Sequence, residues 1–401
     1  MKLLIVSQYF WPENFKINDL AEKLVEKGHT VNVLTGKPNY PQGKFYAGYG
    51  LFFPRKENNN GVHIHRLPLI PRGNASCTRL FVNYFSFVIT SCFYMLFHHK
   101  KYDVILVFAT SPITVAFPAI LHRWFHKTKT FLWVMDLWPE SVSAAGNIRS
   151  KRTHKILTKM VKFIYKHVDK ILISSKSFRS SIEEKGVHAE KIFYAPNWAE
   201  EIYENPQINK QKYASLMPEG FKVMFTGNIG EAQDCEALLE TAKKLNEMQN
   251  KVQLIMVGDG RKKAWFEKEV ENEQLNNVHF LGKFPAEEMP NLIVHADILL
   301  VSLKNEPIFS LTVPTRVQTA LASSKPIAAM LNGEGALIIN EAGAGLTCNA
   351  GEAHVFAQNL YEFSLYTQEK LSEMGKCGKQ YYDQYFLRSK IITEIETLFQ
   401  D

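Results

Sequence analysis

The chain has 401 residues, of which 46% are hydrophobic and 22% are charged. This balance excludes a disordered tail protein, a collagen or coiled-coil repeat and a small disulfide scaffold. The formal net charge of +7 is unevenly spread: residues 1–200 hold 28 Lys and Arg against 13 Asp and Glu, and the remainder is acidic. A basic half joined to an acidic half predicts that one lobe faces a polyanion, either nucleic acid or an anionic membrane surface.

The cysteine pattern gives no metal or disulfide framework. Five cysteines are scattered without ligand spacing, at Cys77, Cys92, Cys235, Cys348 and Cys377. An odd number without a framework is typical of a reducing cytoplasm. The apolar run in MKLLIVSQYF is too short for a signal peptide and lacks a cleavage site, so we expect none.

The first half alternates short apolar strands with amphipathic helices. KLLIVSQYF predicts a buried strand, the helical pattern from Asn18 to Lys27 ends at Gly28, and HTVNVLTG predicts a second strand. Further strands are predicted at VHIHRLPL, YDVILVFAT, TFLWVMDLW, DKILISS and KIFYAPNW, with helices over 80–97, 112–125, 151–167 and 176–185. This alternation predicts a doubly wound parallel sheet in an α/β domain.

The alternation restarts near residue 221, after a polar and weakly patterned stretch. The predicted strands are FKVMFTGN, VQLIMVGDG, VHFLGKF, ADILLVSL, PIAAML and GLTC, and the predicted helices lie near 234–248, 261–274, 286–294, 315–323 and 334–342. The sequence therefore predicts an N-terminal domain over 1–198, a linker over 199–219 and a second open α/β domain over 220–380. Two such domains facing each other would form a cleft, with ligands beyond the carboxyl ends of the strands.

In the second domain, two glycine-containing loops follow predicted strands. Gly227 and Asn228 follow one strand, and the run from Gly258 through Asp259 to Arg261 follows the next. Glycines at such positions let backbone amides approach a phosphate, and a helix N-terminus can receive an anion. The alternative is a pair of ordinary tight turns with solvated basic side chains.

A third loop carries a positive charge where a helix is predicted to begin. Thr315 is the expected cap, and Arg316 in the first turn works against the helix dipole. This conflict is resolved if an anion binds there, because both a guanidinium and free helix amides bind phosphate. Glu334 follows the next strand and begins another helix.

Several chemistries have no motif in the sequence. There is no GxxxxGK[ST] loop, no GxGxxG after the first strand, no GxSxG and no HExxH, DxD or His/Cys cluster. We therefore expect no P-loop, no nicotinamide cofactor, no hydrolase triad and no metal.

In the first domain, polar residues follow three predicted strands. Asn14 and Lys16 follow the first strand, Asn39 follows the second, and Asp136 and Glu140 follow TFLWVM. Two carboxylates four positions apart at a strand end can serve as a general base or bind sugar hydroxyls. The alternative is an Asp that closes a turn beside an exposed Glu.

Two segments concern membranes. Residues 80–97 form an uncharged aromatic run of 18 residues, for which a buried or half-inserted helix is favoured over a span because Asn83, Ser86 and Thr90 interrupt it. Residues 149–170 combine eight Lys and Arg with the apolar stripe Ile156, Leu157, Met160, Val161 and Ile164. They predict a surface helix on the sheet, which could also bind anionic lipid headgroups.

Six segments together resemble glycosyltransferase family 4, and most closely its WbuB-type O-antigen L-fucosaminyl transferases. They are SQYFWPENFKINDLAEKLVEKGHTVNVLTGKPNYPQG, DLWPES, TGNIGEAQ, VGDG, SLKNEPIFSLTVPTRVQ and NGEGALIINEAGAGL. The resemblance implies a GT-B fold of two Rossmann-like domains, with a nucleotide-sugar donor on the second and the acceptor on the first. It also implies that residues 381–401 form a C-terminal helix that crosses back to the first domain.

By this resemblance, seven residues line the donor pocket: Gly227, Asn228, Gly258, Asp259, Thr315, Arg316 and Glu334. Asp136 and Glu140 would face the acceptor, together with Asn14, Lys16 and Asn39. The sequence departs from the family where two Glu are usual, at Leu311 and Thr319, and where an Arg and a Lys usually bind the diphosphate, at Asn228 and Gln233. The His that commonly precedes Asp136 is Met135. We therefore expect Arg316 to bind the diphosphate, assisted by Arg261 or Lys304.

The predicted function is transfer of an amino sugar, N-acetyl-L-fucosamine, from UDP to N-acetylglucosamine on an undecaprenyl-diphosphate acceptor, without metal or other cofactor. The protein would act at the cytoplasmic face of the bacterial inner membrane, as a peripheral or monotopic protein on the anionic surface, in O-antigen biosynthesis. One alternative is a UDP-sugar epimerase of the same fold. The other is a non-enzymatic membrane-surface binding protein, whereas nucleic-acid binding has no recognition motif.

Overall fold

The first half of the chain folds around one eight-stranded sheet in a computed structural model that describes residues 1–144 and 150–400. Its strands are β1 (Lys2–Val6), β2 (Thr30–Gly36), β3 (Lys56–Asn59), β4 (Val62–Leu67), β5 (Val104–Ala109), β6 (Lys129–Val134), β7 (Lys170–Ile173) and β8 (Ile192–Tyr194). They lie in the order β3-β4-β2-β1-β5-β6-β7-β8, and only the pair β3 and β4 is antiparallel. The strand order reverses between β1 and β5, which is where ligands bind in such sheets.

Six α-helices accompany this sheet in the described residues: α1 (Lys16–Glu26), α2 (Cys77–Leu96), α3 (Phe117–His126), α4 (Glu140–Ala144), α5 (Lys151–Lys166) and α6 (Phe178–Glu184). Helix α1 ends as the sequence predicts, because Gly28 adopts φ +86 just beyond the cap residue Lys27. Strand β3 is absent from the sequence-based prediction, because its residues are polar. Asn60 and Gly61, both with positive φ, form the hairpin turn between β3 and β4.

The second half is built on a six-stranded parallel sheet. Its strands are β9 (Phe221–Asn228), β10 (Val252–Asp259), β11 (Val278–Gly282), β12 (Ile298–Ser302), β13 (Ile327–Met330) and β14 (Gly345–Cys348), in the order β11-β10-β9-β12-β13-β14. The helices are α7 (Glu201–Glu204), α8 (Cys235–Glu247), α9 (Lys263–Asn272), α10 (Met289–Ile293), α11 (Pro307–Ser310), α12 (Thr315–Ala322), α13 (Glu334–Glu341), α14 (Ala353–Ser364), α15 (Gln368–Tyr385) and α16 (Arg388–Gln400). This strand order is that of the Rossmann fold, with its reversal between β9 and β12.

Alternating residues of the second sheet supply two separate cores. Met224 belongs to one hydrophobic cluster, whereas its neighbours Val223 and Phe225 belong to the other. Because successive side chains of a strand point to opposite faces, a strand covered by helices on both sides is apolar throughout. The predicted α/β class with two Rossmann-like domains is confirmed.

The chain divides into two units at positions slightly different from the predicted ones. One unit is Met1–Pro196 together with the residues from Ile392 onward, and the other is Asn197–Ile391. The stretch 199–219, predicted as a linker, belongs to the second unit and contains α7. Helix α16 starts in the second unit, and its later residues belong to the first, where Glu396 binds Lys27 and His29, both at 2.7 Å.

Candidate functional site

The carboxyl ends of β9 and β10 approach each other so closely that only glycine fits. Gly258 is paired with Gly227, and a Cβ atom on Gly258 would lie 1.8 Å from the Gly227 carbonyl oxygen. A Cβ on Gly260 would lie 2.1 Å from the carbonyl oxygen of Ile229. The edge of the second sheet is therefore lined by backbone here, as the glycines of the sequence predict. The predicted loops are wrong in one respect, because Gly227, Asn228, Gly258 and Asp259 are the last residues of β9 and β10 and do not lie beyond them.

Arg316 crosses this edge from the first turn of α12. Its Nε donates to the carbonyl of Thr226 (2.7 Å), its Nη2 donates to the carbonyl of Asn228 (3.0 Å), and its guanidinium carbon lies 4.3 Å from the centre of the Phe225 ring. Burial lowers the pKa of Arg316 to about 10, so the side chain remains charged at neutral pH. No carboxylate forms an ion pair with Arg316 in the part of the chain that the structure describes. The site therefore holds a half-buried positive charge without an acidic partner.

The N-terminus of α12 adds amide donors beside this charge. The helix begins at Thr315 and the cap position is Pro314, so the prediction that Thr315 caps the helix is wrong. Proline has no side-chain acceptor, and no side chain caps the helix. Since the first amides of a helix have no partner within it, this end of α12 favours an anion.

The loop before α13 packs against the end of α11, just ahead of α12. Gly333 adopts φ +74, and a Cβ there would lie 1.8 Å from the carbonyl oxygen of Ser310. Glu334, the first residue of α13, is buried with 5% of its surface exposed. The structure thus places Glu334 next to the segment that leads into Arg316.

The other predicted donor residues are exposed or paired. The Oδ1 atom of Asp259 accepts from the amide of Gly260 (2.8 Å), and Arg261 is exposed without a partner among the described residues. Lys304, proposed from the sequence as an assistant, pairs with Glu231 (3.3 Å) and with Glu236 (3.7 Å). Of the cations considered, Arg316 alone combines burial with the lack of an acidic partner within the described residues.

In the first unit, Asp136 follows β6 and is held at the edge of the sheet. The amide of Met135 donates to the carbonyl of Ala109 (2.9 Å), and the Asp136 carboxyl is hydrogen-bonded to Ser111. Burial raises the pKa of Asp136 to about 6, although the bond from Ser111 opposes the increase. A carboxyl that titrates near neutral pH can accept a proton from a substrate hydroxyl.

Glu140 has a different environment from Asp136. Its Oε1 accepts from Lys185 Nζ (2.6 Å) and from Ser181 Oγ (2.8 Å). Burial alone would raise the pKa of Glu140, but the bonds from Lys185 and Ser181 outweigh burial and lower it. The structure therefore gives Glu140 the environment of a structural ion pair between α4 and α6, which argues against proton transfer by this residue.

The predicted acceptor-side residues differ in how deeply they are buried. Asn39 is fully buried, and its side chain donates to the carbonyl of Lys37 (2.9 Å) and accepts from the amide of Arg72 (3.0 Å). Asn14 is exposed, and Lys16 is half-buried at the start of α1. Asn39 thus shapes the loop after β2, and its side-chain groups are already used by backbone.

Glu13, a buried carboxyl that joins two of these loops, is not among the site residues that the sequence predicts. Its Oε1 accepts from the amides of Asn39 and Tyr40, both at 2.7 Å, and its Oε2 accepts from the amide of Phe10 at 3.3 Å. Burial raises the pKa of Glu13 to about 7, against the effect of these bonds. Only its place after the first strand could have singled it out.

We expect Glu13→Gln to reduce the pH dependence of stability. The folded state holds the Glu13 proton more tightly than the unfolded chain, so ionisation destabilises the fold as the pH rises from about 4.5 to 7. The loss is on the order of 3 kcal/mol, and Asp136 acts in the same direction. Urea unfolding of wild type at pH 5 and pH 7.5 should show the loss, and the Gln variant should show less of it. An equal loss in both proteins would contradict the assignment, and the exposed Glu184→Gln serves as control.

No group of three or more His, Cys, Asp or Glu that could hold a metal ion occurs in residues 1–144 and 150–400. Within the same residues, α2 is long and apolar enough to cross a membrane by length and composition.

Two family models match most of the chain. Residues 15–198 match the model described as "Glycosyl transferase 4-like domain", and residues 220–364 match the one described as "Glycosyl transferases group 1". The first match covers the unit that contains Asp136, and the second covers the unit that contains Arg316.

Curated relatives and a solved structure are similar over most of their length. WcaI of Escherichia coli K12, named as a glycosyl transferase of colanic acid biosynthesis, is 26% identical over 318 residues, or 76% of this chain and 77% of WcaI. WbjE of Pseudomonas aeruginosa, named as a glycosyltransferase, is 25% identical over 359 residues, or 87% of this chain and 84% of WbjE. The structure of Anabaena Alr3699/HepE in complex with UDP superposes with a TM-score of 0.70 at 15% identity and covers all of both chains.

Proposed function

Because this chain belongs to the glycosyltransferases of the GT-B fold, we propose that it transfers a sugar from a UDP-sugar to a hydroxyl group of a lipid-linked acceptor. The observation that carries the proposal is Arg316, a half-buried guanidinium without an acidic partner in the described residues, at the glycine-lined end of β9. A buried unpaired charge is costly unless a ligand neutralises it. A nucleoside diphosphate is such a ligand, and the UDP complex of the similar HepE protein supports this donor class.

In the proposed reaction, the acceptor hydroxyl oxygen forms a bond to the anomeric carbon while the bond from that carbon to the diphosphate oxygen breaks. Asp136 takes the hydroxyl proton, which its raised pKa allows at neutral pH. The negative charge that develops on the departing UDP is stabilised by Arg316 and the amides at the start of α12. No metal ion is part of this proposal, so EDTA should leave the rate unchanged.

We further propose N-acetyl-L-fucosamine as the transferred sugar and N-acetylglucosamine on undecaprenyl diphosphate as the acceptor, in O-antigen biosynthesis. The support is the resemblance of the sequence motifs to L-fucosaminyl transferases, together with the role in colanic acid biosynthesis that the name of WcaI gives. The other donor and acceptor residues proposed from the sequence keep their assignments, except Glu140, which is ion-paired with Lys185, and Asn39, whose side-chain amide is bound by backbone.

The test is a transfer assay with purified protein, a lipid-linked acceptor and a panel of donors: UDP-N-acetyl-L-fucosamine, UDP-N-acetylglucosamine, UDP-glucose and GDP-fucose. Transfer from the first donor would support the whole proposal, and transfer from another UDP-sugar would correct the sugar alone. Transfer only from GDP-fucose would overturn the UDP assignment. A changed sugar nucleotide without transfer would identify the epimerase alternative.

We propose that the protein acts on the cytoplasmic face of the inner membrane. The outer face of α2 exposes a row of large apolar side chains: Phe81 (65%), Phe85 (55%), Ile89 (52%), Phe93 (64%) and Phe97 beyond the helix end (67%). Its inner face packs on the rest of the first unit, where Asn83 accepts a hydrogen bond from Gln8 (2.7 Å) and donates one to the carbonyl of Ile70 (2.6 Å). A helix bonded along one side and aromatic along the other suits half-insertion better than a span.

Helix α5 supplies the positive charge for this membrane proposal. Six of its cations are exposed and have no ion pair among the described residues, namely Lys151, Arg152, Lys155, Lys159, Lys162 and Lys166. Of its predicted apolar stripe, Val161 and Ile164 are buried, whereas Ile156 is 66% exposed. Arg149 of the predicted basic segment lies outside the described residues. Exposed aromatic and basic residues together favour an anionic lipid surface.

We expect the triple variant Lys155→Glu, Lys159→Glu and Lys162→Glu to weaken binding to anionic vesicles by about a hundredfold or more. Each lysine near such a surface contributes about 1 kcal/mol, so three contribute about 3 kcal/mol. Sedimentation with phosphatidylglycerol vesicles measures the effect. The matched control replaces Lys268, Lys283 and Lys376, three exposed lysines of the second unit. If both triple variants lose vesicle binding equally, the loss depends only on the net charge of the protein, which would contradict α5 as the membrane-binding surface.

A further inference from the structure

Arg72 lies in the first unit, in the loop between β4 and α2, and has no acidic partner in the described residues. Three other arginines of the unit do have one: Arg66 pairs with Glu57, Arg123 with Asp169 and Arg179 with Glu183. The Nε atom of Arg72 is buried and makes no hydrogen bond. A guanidinium has five N–H groups, and a buried one left unsatisfied is costly.

Arg72 is held in place by aromatic side chains. Its Nη1 donates to the hydroxyl of Tyr9 (3.2 Å), and its guanidinium carbon lies 4.9 Å from the centre of the Tyr40 ring and 5.7 Å from that of Tyr9. The amide of Arg72 donates to the buried side chain of Asn39 (3.0 Å), which fixes the backbone as well. The planar cation is therefore fixed in orientation while its Nε donor remains unused.

The rings around Arg72 form an aromatic wall at the carboxyl end of the sheet. Tyr9, Phe15 and Tyr40 lie with their ring centres 5.3 to 5.6 Å apart, and the Tyr9 and Phe15 rings are stacked. Such a wall can hold the apolar face of a sugar ring or of a hydrocarbon next to a charge.

Tyr84 links this cluster to Asp136. The Tyr84 hydroxyl is hydrogen-bonded to Tyr9. Burial raises the pKa of the Tyr84 hydroxyl, Arg72 opposes the increase and Asp136 adds to it, so both charged groups lie within electrostatic range of the same hydroxyl. The cation that lacks an acidic partner and the carboxyl that is proposed to receive the acceptor proton therefore both act on the Tyr84 hydroxyl.

We propose that Arg72, with Tyr9, Tyr40 and Tyr84, forms a second anion site, which binds the phosphate that joins the acceptor sugar to its lipid. The proposal rests on the proposed function and names the residues that select its acceptor. The donor diphosphate is the other source of phosphate in the reaction. The acceptor is favoured because Arg72 belongs to the unit of Asp136, whereas the donor site is built around Arg316 in the other unit.

The test measures binding of a short prenyl diphosphate to the full-length protein by calorimetry, with the donor site saturated by UDP. Wild type should bind the probe, and Arg72→Ala should weaken this binding at least about tenfold, as expected for a charge-assisted hydrogen bond. Arg72→Lys should give an intermediate affinity, since it keeps the charge and loses the planar donor pair. The Kd for UDP should be unchanged in both variants, which also verifies that they fold.

Three outcomes would overturn the proposal. They are absence of prenyl diphosphate binding to wild type, equal binding to wild type and Arg72→Ala, and a weaker Kd for UDP in Arg72→Ala, which would assign Arg72 to the donor. Arg316→Ala separates the two sites, because it should lose UDP and keep the prenyl diphosphate. Because the assay measures binding alone, failure of this proposal is distinguishable from a failure to transfer sugar.

Discussion

Replacement of Arg316 by alanine is expected to lower the transfer rate by about 10² to 10³ and to weaken UDP binding. The variant removes the charge that faces the departing diphosphate, and loss of one such donor costs about 3 to 4 kcal/mol of barrier in other enzymes. The measurement is kcat/KM for the UDP-sugar, together with the increase in Tm that UDP produces. A full rate in the variant would contradict the assignment of Arg316.

Arg316 also has a structural role, so the variant requires a control. Its bonds to the carbonyls of Thr226 and Asn228 hold the end of β9, and their loss will lower stability as well. Arg388→Ala is the matched control, because Arg388 is a mostly buried arginine of the same unit that pairs with Glu201 at 2.9 Å. We expect Arg388→Ala to lower the Tm and to leave kcat/KM unchanged. A rate loss of similar size in both variants would indicate general destabilisation.

The second large effect is expected at Asp136. Asp136→Asn should lower kcat by about 10² to 10⁴, the usual contribution of a general base. In wild type, the rate should fall as the pH falls through about 6, because protonation removes the base. The pH profile of kcat/KM measures this limb, and the variant should lack it. If the variant loses activity but keeps the acid limb, another group is the base.

Ser111→Ala tests the same assignment without removing the carboxyl. The bond from Ser111 lowers the pKa of Asp136, so its loss should move the acid limb of the pH profile to higher pH. The rate at alkaline pH should change much less than in Asp136→Asn. An unmoved limb in Ser111→Ala would show that the limb does not report on Asp136. Glu140→Gln, which acts on the ion pair with Lys185, should leave the limb in place.

Local sequence patterns could not separate a reactive carboxyl from a structural one. Asp136 and Glu140 are four positions apart and look equivalent in the sequence, but Ser181 on α6 and Lys185 at its C-terminal end bind Glu140 and not Asp136. Likewise Lys304 was a candidate for the diphosphate until the structure placed it beside Glu231. The partners of Glu140 and Lys304 are 41 to 73 residues away in the sequence, so a pattern within a short window cannot reveal whether either charge is already paired.

Sequence by itself determined the architecture and the presence of a positive charge at the carboxyl end of β9. Alternating apolar strands and amphipathic helices have only a few compact arrangements, so the two α/β domains followed from local periodicity. The glycines at 227 and 258 and the arginine in a first helix turn were unusual enough to be found locally. The tertiary structure alone decided which groups are buried and which are paired, since burial and long-range partners set the pKa of Glu13 and leave Arg72 without a counter-ion.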